Sequence, residues 1–158
     1  KCGMTRGTAK AIGIYNHYIF KLELERTAEL YDWRIMPFKT QHDAEEPCGF
    51  LILTTSGQKI CYATDTYYLE YKFRGVTHWL VEANYKTILL VENEELPRQT
   101  KNRIVMSHFE IENVKKFFKA QDLSKTKRIY LIHLSEDNAD PIEFTKEIEA
   151  ITGIPVYS

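Results

Sequence analysis

Between Cys48 and Thr64 the chain runs Gly49-Phe50-Leu51-Ile52-Leu53-Thr54, turns at Ser56-Gly57-Gln58, and continues Lys59-Ile60-Cys61-Tyr62-Ala63-Thr64. Two β-rich runs around a glycine-containing turn predict a hairpin. Thr77-His78-Trp79-Leu80-Val81-Glu82 is too apolar to face water on one side and reads as a central strand. Upstream, Trp33 to Phe38 is a further strand. Phe20 to Glu25 alternates, with Phe20, Leu22 and Leu24 on one face and Lys21, Glu23 and Glu25 on the other, the mark of a strand with one buried face.

The second half changes period. Residues 86–106 read as mainly helical, with Pro97 near a helix start. Glu110 to Ala120 places Ile111, Val114, Phe117 and Phe118 at helical spacing, Arg128 to Ile132 is a buried strand, and Asp140-Pro141 opens a helix carrying Ile142, Phe144, Ile148 and Ile151. A short strand follows Gly153. Near the start, Gly7 to Ile12 predicts a short helix with Thr8 as its N-cap and Gly13 as its stop. Hairpins followed by β-α-β-α-β order predict an α/β (α+β) fold, a mixed sheet covered by helices. No repeat, low-complexity tract or linker divides residues 1–158, so a single domain is expected.

Composition removes several functions. With 44% apolar and 27% charged residues the chain is globular, and no apolar run reaches the ~20 residues of a membrane span, so no membrane partner is expected. Twenty-one basic against 22 acidic residues give no basic excess for non-specific nucleic-acid binding. Cys2, Cys48 and Cys61 form neither an even set nor a CxxC pair, which predicts reduced thiols and a cytoplasmic setting. The chain opens on Lys1-Cys2 without Met, so a piece of a longer chain is expected.

Two of the apolar strands finish on carboxylates, at Asp65 and Glu82. A carboxylate there needs water, hydrogen bonds or a cation, and taken singly each also reads as a loop cap. His42-Asp43 follows the strand at 33–38, Asp65 closes that at 59–64 and His133 closes that at 128–132, while His108 precedes a helix. Ligands collect outside strand ends in such sheets, and two imidazoles with a carboxylate suit zinc, manganese or iron. Taken alone, His42 is equally a loop histidine and His133 a satisfied core histidine. His17 and His78 read as surface or half-buried structural residues.

Gln41-His42-Asp43-Ala44-Glu45-Glu46-Pro47-Cys48-Gly49-Phe50, Thr64-Asp65-Thr66, Val81-Glu82-Ala83-Asn84, Ser107-His108 and His133-Leu134-Ser135-Glu136-Asp137-Asn138-Ala139-Asp140 resemble, in order, the downstream motifs of small metallo-β-lactamase-fold hydrolases. The subgroup most like them contains phosphodiesterases and nucleases. The resemblance implies an αββα sandwich of two mixed sheets with covering helices and a metal centre at one edge. It implies that His42 ligates a first metal, Asp65 bridges two, and His133 ligates the second. His108 would donate a proton to the leaving oxygen, and Glu82 and Asn84 would hold ligands or order the loop.

Two departures shape the expectation. Ser107-His108-Phe109-Glu110-Ile111 stands where the family has a Gly-His-Leu-Ser-Asn-like motif, and the family's His-x-His-x-Asp-His string is absent from the chain. The chain is therefore expected to be the C-terminal portion of the fold, inactive alone and binding zinc or manganese weakly or not at all, with two divalent ions in the complete site. Completion would come from a missing N-terminal portion, another subunit or a homodimer partner. Phe50, Ile52, Ile60, Leu80 and Ile132 would then have lost cover. The substrate expected of the complete protein is a phosphodiester or nucleic acid; the alternative is a degenerate, non-catalytic binding module.

Overall fold

A computed structural model describes residues 2–14, 17 and 19–158. Seven strands lie in sequential order in one sheet: β3 (Ala28–Leu30), β4 (Trp33–Lys39), β5 (Cys48–Leu53), β6 (Lys59–Ala63), β7 (His78–Glu82), β8 (Arg128–Ile132) and β9 (Val156–Tyr157). From β3 to β6 the pairs are antiparallel, and from β6 to β9 they are parallel. The expected hairpin is β5–β6, with Ile52 opposite Ile60, and β7 is central between β6 and β8. A separate parallel pair joins β1 (Cys2–Thr5) to β2 (Ile19–Leu22), with α1 (Arg6–Ala11) between them in the chain.

Three local expectations are corrected. α1 is capped by Thr5, whose Oγ1 accepts from Thr8 N–H, so Thr8 sits inside the first turn; Gly13 follows the helix at φ +68°. β2 ends at Leu22, because the chain turns at Glu23–Arg26, where Arg26 N–H donates to Glu23 O and Glu25 takes φ +61°. β9 begins only at Val156, since Pro155 has no N–H to give and contributes its carbonyl to Ile129 N–H.

The alternation along each strand separates two faces. On one, Cys61, Ala63, Trp79, Val81, Ile129 and Leu131 are buried beneath α4 (Ile111–Lys119) and α5 (Pro141–Thr152), which supply Val114, Phe117, Phe118, Phe144 and Ile148. Trp79 meets Phe117 and Phe118 edge-on at ring distances of 5.7 Å each. Both helices start on carboxylate caps, Glu110 accepting from the N–H groups of Glu112 and Asn113, and Asp140 from those of Ile142 and Glu143. The opposite face carries Phe50, Ile52, Ile60, Leu80 and Ile132, each half-buried.

This strand order creates an edge. β4 and the parallel strands β6, β7 and β8 all run the same way, so the residues after their C-terminal ends collect at one rim of the sheet. Asp65 and His133 both occupy it with left-handed backbone, at φ +51° and +56°. Such a conformation is strained for a residue with a Cβ and is concentrated at functional positions.

Candidate metal centre

Four ligand-type side chains meet at this rim. One oxygen each from Asp65 and Glu82 and one ring nitrogen each from His108 and His133 all lie within 4.8 Å of one another. Glu82 is at the middle. It is fully buried, and its Oε1 stands 2.6 Å from His108 Nδ1 and 2.9 Å from His133 Nδ1, while its Oε2 accepts the N–H of Thr66 at 2.8 Å. With both Nδ1 atoms donating to Glu82, Nε2 is the remaining atom of each ring, an acceptor when the ring is neutral and a donor when it is charged. The Glu82 hydrogen bond raises the pKa of His108 above its ordinary value against the opposing effect of burial, with the nearby Asp65 charge helping.

Asp65 is more open, with 46% of its side chain exposed, and its Oδ1 lies 3.4 Å from His133 Nδ1 and 3.9 Å from His108 Nδ1. His42 approaches from the loop after β4. Its Nδ1 is 2.9 Å from Asp43 Oδ1, so its Nε2 is the atom offered to the site, 3.8 Å from Asp65 Oδ1. Arg103 of α3 (Arg98–Ser107) bridges to Asp43 at 3.1 Å and holds that carboxyl below its usual pKa.

Backbone pairing delivers His108, which lies between α3 and α4. Asn84 N–H donates to Phe109 O, Ile111 N–H donates to Tyr85 O, and the segment following His108 is thereby laid alongside the chain leaving β7. Asn84 Nδ2 also donates to His133 O at 2.7 Å, fixing the strained turn after β8. On the other side, Gln41 N–H donates to Thr66 Oγ1 and Tyr67 N–H to Gln41 O, tying the His42 loop to the Asp65 turn. A cavity of about 370 Å³ opens beside His42 and Asp65, walled by Thr5, Thr8, Thr40 and Glu46.

All four residues expected from the sequence, His42, Asp65, His108 and His133, therefore stand at one rim, with His42 the furthest out. Glu82, expected only to hold ligands or order the loop, stands at the centre of the cluster. Its position at a strand end was the available signal, but only the pairing of segment 108–111 with 84–85 puts two imidazoles on it. His17 is exposed, and His78 is half-buried with its Nδ1 2.9 Å from Thr77 Oγ1, away from the cluster.

The donor set suits a divalent cation. Two imidazoles and two carboxylates around a space of a few ångströms, with a third imidazole beside them, are what zinc, manganese or iron require.

The fold is that of the metallo-β-lactamase proteins. The chain superposes on the metallo-β-lactamase fold protein YhfI from Bacillus subtilis with a TM-score of 0.62 at 12% identity, over 88% of this chain and 50% of YhfI. A diphosphatase of the PhnP family matches with a TM-score of 0.62 at 16% identity, over 98% of this chain and 53% of that one. CmlA, a diiron β-hydroxylase from Streptomyces venezuelae, matches with a TM-score of 0.59 at 9% identity, over 88% of this chain and 33% of CmlA. The chain thus spans about half the length, or less, of these proteins. No family profile and no curated protein matches the sequence.

Proposed function

We propose that this chain carries the metal-binding rim of a metal-dependent hydrolase acting on phosphodiesters, with nuclease-like chemistry in the complete protein. The observation that carries this reading is the convergence of Asp65, Glu82, His108 and His133 at the C-terminal edge of the parallel strands. His42, Asp65 and His133 would hold zinc or manganese, two ions in the complete site with Asp65 between them. A bound divalent ion supplies Lewis-acid stabilisation of the phosphoryl oxygens and lowers the pKa of water.

The chain's own residues supply the rest. Glu82, held by Thr66 N–H, orients both imidazoles and keeps His108 protonated to higher pH, which suits His108 to give a proton to a leaving oxygen. Asp43, paired with Arg103, fixes the His42 ring through Nδ1. Ligands from an N-terminal portion of the fold, or from a partner copy, complete the centre and cover the half-buried face of the sheet. A reducing, cytoplasmic setting fits three free thiols; among the described residues no helix is long and apolar enough to cross a membrane.

A second reading, a non-catalytic module, rests on the lack of a His-x-His-x-Asp-His string in these 158 residues. Calorimetric titration with manganese, together with hydrolysis of bis(p-nitrophenyl) phosphate, separates the two. The hydrolase reading expects weak manganese binding by this chain, lost in Asp65→Ala, and turnover once upstream sequence is restored. Failure of the extended protein to bind manganese would leave the binding module.

A further inference from the structure

A pocket of about 260 Å³ lies between residues 68–72 and α4, and both of its walls begin at the candidate metal centre. Tyr68 follows Asp65 by three residues, at most ~10 Å of extended chain. Phe109 directly follows His108 and, with Phe117, forms a buried apolar floor. Tyr68 is 51% exposed, and the exposed Lys72 and Lys116 belong to the lining, with Glu70 as its single acid.

The walls are fixed rather than loose. Thr66, whose N–H is held by Glu82, donates its hydroxyl to Tyr68 O at 2.8 Å. At the far end Gln121 donates to Tyr71 O and accepts from Phe73 N–H, both at 2.9 Å, pinning the strand-like segment to the end of α4. An exposed aromatic ring and an apolar floor, with two lysines in the lining, fit an aromatic ligand that carries an anion.

We propose that this pocket binds one nucleotide of a single-stranded nucleic acid, its base against Tyr68 over the Phe109–Phe117 floor and its phosphate on Lys72 and Lys116. The inference rests on the phosphodiester reading above and deepens it: the neighbouring phosphodiester would then lie toward Asp65 and His108. The basic groups are local, which is why a net charge of −1 concealed them.

The test is fluorescence anisotropy of a labelled pentathymidylate with the chain in EDTA at low salt, so that metal binding plays no part. Tyr68→Ala should weaken binding about tenfold, the range of one base–aromatic stack, with an unchanged circular dichroism spectrum. Lys116 Nζ lies 3.4 Å from the lining Asn113 Oδ1 and must turn from it to the phosphate, and Lys116→Ala should weaken binding and lower the salt slope by about one. Equal affinity for parent and Tyr68→Ala, no binding to the parent, or displacement by inorganic phosphate as effective as by thymidine monophosphate would each overturn the proposal. If the upstream-extended protein fails to bind manganese while the parent binds the oligonucleotide through Tyr68, the metal reading falls and the pocket stands.

Discussion

Glu82 shows how much one buried carboxylate can organise. It accepts one backbone N–H and stands within hydrogen-bond reach of two imidazoles, so none of its charge is left uncompensated in the core. Glu82→Gln keeps the volume but turns one of the two acceptor oxygens into a donor, so either the two rings or Thr66 N–H loses its acceptor. Manganese affinity should fall about 10–100-fold, as for other groups that orient ligands, with calorimetry as the check. The His108–Glu82 bond also has a pH signature in EDTA. Because the folded pKa of His108 is raised, its stabilisation is complete below its unfolded value of about 6.5 and is lost as pH rises through the folded value. The stability gap between parent and His108→Asn in urea unfolding should therefore narrow with rising pH; a gap independent of pH would exclude a stabilising ionised pair. Asp65 offers the complementary test. At φ +51° a glycine is unstrained, so Asp65→Gly should leave the melting temperature unchanged or higher while abolishing manganese binding.

Among the elements, the β4–β5 pair is held by one glycine. Phe38 lies opposite Gly49, and a Cβ on Gly49 would stand 2.4 Å from Phe38 Cζ and 2.7 Å from Tyr62 O. The ring of Phe38 is itself wedged against Phe73 at 4.8 Å and cannot withdraw freely. Gly49→Ala should cost about 1–3 kcal/mol in urea unfolding, the range of overpacked cores. The thiols report the same strands chemically. Burial pushes the Cys48 thiol up to about 11 and that of Cys61 higher still, whereas Cys2 is exposed. Iodoacetamide at about pH 8 should label Cys2 in the folded chain and reach Cys48 and Cys61 only after unfolding, read by mass spectrometry.

At the scale of the molecule, one sheet face is sealed and the other is not. Ile129 is fully buried beneath the helices, while Ile60 on the opposite face is half-buried. Ile129→Ala should cost about 2–5 kcal/mol, and Ile60→Ala distinctly less. The open face, with Phe50, Ile52, Leu80 and Ile132 alongside Ile60, gains roughly 25 cal/mol per Å² when covered. This chain alone should therefore bind a hydrophobic dye or self-associate. Ile60→Lys should reduce both without unfolding the sheet; a dye-silent monomer by light scattering would mean that the face needs no cover.

Much of this molecule was legible in its residues because the physics involved is local. Apolar runs bounded by turn residues set β4 to β8, period-3.6 runs set α4 and α5, and Asp140-Pro141 marked a helix start, since run length, spacing and capping act within a few residues. The rim residues His42, Asp65, His108 and His133 were visible as polar groups just beyond apolar strands or before a helix. What the residues could not contain is which strand lies beside which. The parallel alignment of β6, β7 and β8 brings Asp65, Glu82 and His133 to one edge, and the backbone pairing of segment 108–111 with 84–85 adds His108. The same long-range pairing makes Glu82 the hub and opens the Tyr68 pocket against α4. Sequence set most of the elements, though not β1 or β3, and the chemistry at their ends; tertiary structure decided which ends meet, because register and crossover are fixed by contacts between residues far apart in the chain.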